Sequence, residues 1–337
     1  MGELTARRAG GRRRAGEARP ASAVRRASGL WFALVSAAAF GTSGALAKSL
    51  LESGWTPGAA VVARIGGAAL VLAVPALLAL RGRWHLLRRH AGVMAAYGLV
   101  AMAACQLFYF TAVTTLSVGV ALLLEYLGPV LVVGWMWLRH GLRPRRFTLA
   151  GIVLSLAGLV LVLDVTGGLR VDPVGVLWGL GAAVGLAVYF VLSAHETSGL
   201  PPIVMAAGGM VVATAALALA GLVGLTPMAW STADVRLAGA TVPWFVPLAL
   251  LAGVAAALAY ALGIAGTRRL GSTVAAFVGL SEVLFAVLFA WLLIGELPMP
   301  VQLLGGVLIV GGVVAVRYDE LRRTRFSAVD LLAAERA

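Results

Sequence analysis

Ten long apolar segments fall into two sets of five along this chain, and the second set repeats the first. When residues 116–162 are laid on residues 270–316, an offset of 154 with no gap, 15 of the 47 aligned positions are identical. The matches include Trp137/Trp291, Gly141/Gly295, Pro144/Pro298, Gly151/Gly305 and Gly158/Gly312. Alanine, leucine, valine and glycine raise chance identity in such a chain, but matched Trp, Pro and spaced Gly are harder to obtain by accident. The pattern therefore indicates a duplicated unit. Five is odd, so a second unit that crosses a bilayer five times must enter with the opposite orientation, which gives an inverted repeat about a pseudo-two-fold axis in the membrane plane. The expected fold is an all-α integral membrane protein of ten transmembrane helices, arranged as two inverted five-helix repeats.

A hydrophobic fraction of 61% and a mean hydropathy of +0.96 lie far outside the soluble range, where apolar usage is roughly 45–50%. About 20 apolar residues are needed to cross the hydrocarbon. Ten spans of that order fall near residues 30–51, 59–80, 91–112, 116–138, 148–165, 174–194, 203–225, 244–266, 272–294 and 301–316. This layout predicts a disordered basic tail over residues 1–28, a first repeat over 29–169, a second over 172–317 and a closing tail over 318–337. The longest loop, residues 226–243, has room for a turn of helix and little else.

The net charge of +13 could suggest a nucleic-acid partner, but 23 of the 27 Lys and Arg fall on one side of the ten-span layout. Arg170 and Arg236 fall on the other side, and Lys48 and Arg64 lie near or within spans. By the positive-inside rule both termini are cytoplasmic, and orientation plus anionic lipid account for the Arg-rich tail without nucleic acid. The expected location is the cell membrane. Arg25-Arg26 before an apolar run imitates a cleavable export signal, but cleavage would leave nine spans and unpair the repeat. The single cysteine, Cys105, excludes an internal disulfide and is expected to be a small buried hydrophobe.

Carboxylates at the bilayer centre are expensive and usually face a cavity or the bundle interior. Glu125 and Glu282 each lie about 14 Å along repeat-partner spans, at 1.5 Å per residue. Both are candidates for a translocation site at the repeat interface; the bland alternative is a protonated Glu bonded to a neighbouring helix. Pro129 cannot return a hydrogen bond to the carbonyl of residue 125, which predicts a hinge beside the acid. Gln106, Tyr109, Tyr126, Tyr189 and Tyr260 fall at the same level, with Gln106 and Tyr260 at equivalent repeat positions. Each tyrosine alone is more often core than ligand. Arg64 is too deep in span two to snorkel comfortably, so it is expected to pair with an acid or attract an anionic group, whereas Lys48 can snorkel. Asp164 and Glu296 close spans and are read as solvated or capping.

Catalytic readings find little support. Gly41-Thr42-Ser43-Gly44 imitates the nucleophile turn of an intramembrane protease, yet no histidine is placed to serve it. His85, His90, His140 and His195 show no metal-ligand spacing, and no phosphate-cradling loop occurs. No catalytic residue, metal site or cofactor is expected.

"VVARIGGAAL" in span two, "QLFYFTAVTTLSVGVALLLEYLGPVLVV" across spans three and four, and "SEVLFAVLFAWLLIGELPMPVQLLGGVLIVGG" across spans nine and ten resemble the EamA family of the drug/metabolite transporter (DMT) superfamily. The resemblance covers about residues 29–317. The final stretch is the most specific, with Gly295-Glu296 ending span nine before the Gly305 pattern. The family's frequent Glu-Pro in span nine is Glu282-Val283 here, so the proline kink is expected to be absent there. In span four Gly128-Pro129 keeps the proline, and the acid stands at Glu125. "LLLEYLGPV" is similar to threonine/homoserine exporters of the family. The resemblance implies a cavity lined by both halves, alternating access and export of small metabolites. Glu125 would serve proton coupling unless the carrier is a facilitator. The alternatives are an efflux carrier for drugs or cationic compounds, and a non-transporting membrane scaffold or intramembrane enzyme. The expected partners are a small-molecule substrate and the lipid bilayer, with homo-oligomerisation left open.

Overall fold

A computed structural model describes residues 3–113, 115–116, 118–162, 172–195, 199–295, 297 and 299–334. Its first half contains α1 (Glu3–Glu52), α2 (Pro57–Leu80), α3 (His85–Ala96), α4 (Cys105–Val113), α5 (Val118–Glu125), α6 (Gly128–His140) and α7 (Arg146–Val162). The second contains α8 (Pro173–Ala194), α9 (Pro202–Leu222), α10 (Phe245–Ala252), α11 (Ala259–Leu270), α12 (Ser272–Gly279), α13 (Ser281–Ile294) and α14 (Pro300–Ala334). Among the described residues nine helical stretches are long and apolar enough to cross a membrane, and α7 is a shorter tenth. The apolar part of α1 is Ala27–Glu52. Asp164, Arg170, Glu196 and Glu296 lie outside the described residues.

Local sequence chemistry sets the helix ends. α2, α8 and α9 each begin with proline in the first turn, where the missing N–H costs nothing. Thr56 and Asp172 cap the first two by accepting from Ala59 N and Val174 N. α6 and α13 both end on a glycine in the left-handed region, Gly141 at φ 66° and Gly295 at φ 83°. A side chain there would be strained, which explains why this pair matches between the repeats.

The halves are related by the contacts they make. α1 packs on α11 and α13, and the corresponding helix of the second half, α8, packs on α4 and on α5 and α6. α2 meets its own counterpart α9, and α7 meets its own counterpart α14. The α7–α14 seam shows the relation at atomic detail. A Cβ on Gly158 would lie 2.5 Å from the Gly305 carbonyl oxygen, and one on Gly305 would lie 2.6 Å from that of Gly158. Gly151 and Gly312 make the same reciprocal approach, at 2.8 and 2.7 Å. Exchanging each residue for its repeat equivalent maps one pair onto the other, as a two-fold axis requires. Lipid provides no hydrophobic drive between helices, so backbone contact through glycine supplies the packing. Large apolar side chains such as Leu70, Leu177, Leu222 and Val307 point outward, each more than 60% exposed, as a lipid-facing surface demands.

Two expectations are corrected. The long loop carries an antiparallel hairpin, β1 (Val235–Leu237) with β2 (Ala240–Val242), instead of a helical turn. Ala238 at φ 52° and Gly239 at φ 77° form its two-residue turn, the geometry that matches strand twist. Ala238 N donates to Leu293 O at 2.9 Å, and Trp55 Nε1 donates to Ser231 O at 2.8 Å, so the loop is tied down over the helix ends. Secondly, span nine is interrupted although it lacks proline. Spans four and nine break at Tyr126–Leu127 and at Leu280, and Leu280 is the repeat equivalent of Tyr126. Both breaks are tightened turns with bonds three residues back, Leu127 N to Leu124 O at 3.1 Å and Leu280 N to Phe277 O at 3.1 Å. Proline reinforces the first break without being its general cause.

Candidate functional site

A cavity of about 970 Å³ lies between the two halves. Its exposed end is lined by the end of α1 (Lys48, Leu51) and the start of α14 (Met299, Gln302), and Met299 is 52% exposed there. At its other end Ala33 and Thr267 are buried. The open mouth thus lies at the membrane end opposite the start of the α1 crossing.

The interrupted helices place both acids in this space. Glu125 is the last residue of α5 and Glu282 the second residue of α13, and both line the cavity. Non-helical backbone is tolerated at membrane depth where it borders a cavity, and transporter sites form at such discontinuities. Pro129 is buried at the start of α6 and does not line the cavity. It begins a second half-helix instead of bending a continuous one, and it has no N–H to offer the Glu125 carbonyl.

Arg64, Gln106, Tyr109, Tyr126, Tyr189 and Tyr260 line the same cavity. Gln106 and Tyr260 thus enter one space from equivalent positions. Tyr126 lies beside Glu282. Tyr189 is the hub of an aromatic floor, with ring centroids 5.7 Å from Tyr260, 5.8 Å from Tyr97 and 4.9 Å from Phe190. Phe40 meets Tyr260 edge to face at 4.8 Å. Below this floor Arg269 lies over the Phe32 ring at 4.2 Å and donates to Ser28 Oγ at 3.2 Å. Ser28 and Phe32 stand at the start of the α1 crossing, at the end away from the mouth.

Three features escaped sequence reasoning. Tyr97 is fully buried under Tyr189 and accepts from Ser193 Oγ at 3.4 Å, while its repeat equivalent is Leu251, so the duplication did not single it out. Cys105 is more than a buried hydrophobe: its Sγ lies 3.5 Å from Glu125 Oε1 and 3.4 Å from Ala182 O. Finally, spans three and eight each contain a wider, π-helical stretch, Tyr97–Ala104 and Gly253–Leu258. These ranges overlap under the 154-residue offset, and such stretches occur often at functional sites. The second presents the Ala255 carbonyl, which accepts from Arg64 Nη2 at 2.8 Å.

The sequence profile of the EamA-like transporter family matches residues 27–164 and again residues 173–318. The chain belongs to this family. It is 28% identical over 289 residues to the uncharacterized transporter YwfM of Bacillus subtilis, covering 85% of this chain and 92% of the relative. It is 24% identical over 305 residues to the uncharacterized inner membrane transporter YicL of Salmonella typhimurium, covering 88% and 97%. A solved crystal structure shares the fold, with a TM-score of 0.71 at 22% identity over 88% of this chain and 99% of that one. The protein is therefore a multi-pass, all-α membrane protein of a transporter family.

Proposed function

We propose that this EamA protein is a secondary transporter that exports small metabolites, amino acids or related compounds among them, across the cytoplasmic membrane by alternating access. The observation that carries the reading is the cavity between the halves, in which two carboxylates, one guanidinium and an aromatic floor surround a space large enough for a metabolite. A structural scaffold has no use for two acids held at helix breaks beside such a space. Glu125, Gln106, Tyr109, Tyr126, Tyr189, Tyr260, Glu282 and Arg64 are assigned to substrate binding and translocation, and Pro129 to the hinge. The repeats divide as residues 29–169 and 172–317. Both termini are placed in the cytoplasm by the Lys/Arg asymmetry, which makes this conformation outward-open. The inner-membrane name of one relative agrees with the location. Proton coupling is assigned to Glu125.

Efflux from loaded vesicles, run with a panel of amino acids and cationic drugs, tests the reading. At least one solute should leave faster than from vesicles lacking the protein. A panel in which none does would remove the carrier assignment, and movement of cationic drugs alone would favour the multidrug alternative.

A further inference from the structure

We infer that Arg64 is the anion-binding point of the cavity and that it takes a carboxylate group of the transported solute, an assignment that rests on the carrier reading above. Arg64 lines the cavity, and its one hydrogen bond among the described residues is from Nη2 to Ala255 O at 2.8 Å. Nε is buried and has no partner there. Glu125 and Glu282 line the same cavity, yet neither forms an ion pair with Arg64 at 4.0 Å or less.

Glu125 and Glu282 act on Arg64 only from beyond ion-pair distance. A half-buried guanidinium without a close counter-ion is costly, and the buried Nε left unmatched adds to that cost. Replacing such a group by an apolar side chain is often neutral or stabilising, so folding alone is a weak reason for it. Its fixed planar fork matches two oxygens on one atom, the geometry of carboxylate and phosphate recognition. The acids decide between these two. A phosphate monoester would bring up to two negative charges into a space that already holds Glu125 and Glu282 beside Arg64 and Lys48, whereas a carboxylate brings one. The contact to Ala255 fixes the fork, because it comes from the π-helical stretch of the opposite half. Through this bond Arg64 itself joins α2 to the second repeat, next to where the anion would sit.

Thermal unfolding of the purified full chain in detergent tests this, using a series of carboxylic acids each paired with its primary amide. Some acids should raise the melting temperature of the wild type by a few degrees while their amides do not. Arg64→Gln should weaken that binding about tenfold or more, and Arg64→Lys by less, because a point charge survives without the fork. The unliganded melting temperature of Arg64→Gln should stay near that of the wild type, which separates lost binding from misfolding. Equal stabilisation by acids and amides would overturn the inference, as would acid binding unchanged in Arg64→Gln, or no acid that binds at all. Efflux of uncharged or cationic solutes in those cases would leave the carrier reading standing, whereas absence of all efflux would remove that reading instead.

Discussion

Glu125→Gln should abolish accumulation driven by a pH gradient while leaving the protein folded and able to equilibrate its solute. The amide keeps the shape of the carboxyl and an oxygen for the Cys105 thiol, whose sulfur lies 3.5 Å from Glu125 Oε1. It cannot bind and release a proton. With one proton exchanged per solute, a gradient of two pH units supports about a hundredfold concentration ratio, because each unit is worth about 1.36 kcal/mol. Proteoliposomes acidified on the side towards which solute moves should show that ratio for the wild type and a ratio near one for the variant. Counterflow of labelled against unlabelled solute should persist in the variant, since it needs no net proton movement. Full gradient-driven accumulation by Glu125→Gln would show that the proton travels elsewhere.

Gly158→Leu and Gly305→Leu should be the most damaging substitutions on the lipid side of the fold. Each places a side chain where the facing carbonyl oxygen is already 2.5 or 2.6 Å from the first carbon. That oxygen belongs to backbone and cannot rotate aside, so α7 and α14 must separate along their seam. Overpacking of this kind costs about 1–3 kcal/mol at sites that can relax, and a backbone contact relaxes less. At roughly 2–4 °C per kcal/mol for a domain of 150–250 residues, a fall in melting temperature of about 5–10 °C is expected. The double variant should fall by less than the sum, because both changes break one contact. Gly134→Ala is the control: nothing lies within 4 Å of its added carbon, so the melting temperature should hold. A Gly158→Leu protein as stable as the control would refute the close seam.

The sequence made the duplication legible largely because its matched glycines stand where geometry leaves no freedom to replace them. Gly141 and Gly295 are left-handed caps, and Gly151, Gly158, Gly305 and Gly312 are points of backbone contact. Trp137 and Trp291 are both partly exposed at the outer surface of their helices. Charge in hydrocarbon is rare enough that Glu125, Glu282 and Arg64 stood out as well, and the structure brings them into one space. The break in span nine was hidden because the tight turn at Leu280 needs no special residue: its φ of −58° and ψ of −21° are open to any side chain. The π-helical stretches were hidden for the same reason, since Gly253–Leu258 is a run of small and apolar residues that also fits an α-helix. Tyr97 was overlooked because a lone tyrosine in an apolar span carries no periodic signal, and only the packing against Tyr189 reveals it.

Transport by this chain requires solute to pass through the space between the repeats. Cys105 is the sole cysteine, so Cys105→Ser provides a background in which Ser43→Cys places one thiol on the cavity wall. Efflux from proteoliposomes of that double variant, measured as a bulky membrane-impermeant thiol reagent reacts, tests the route. Transport should fall in proportion to the fraction labelled and return when the adduct is reduced away. Complete labelling with undiminished efflux would show that the solute takes another path.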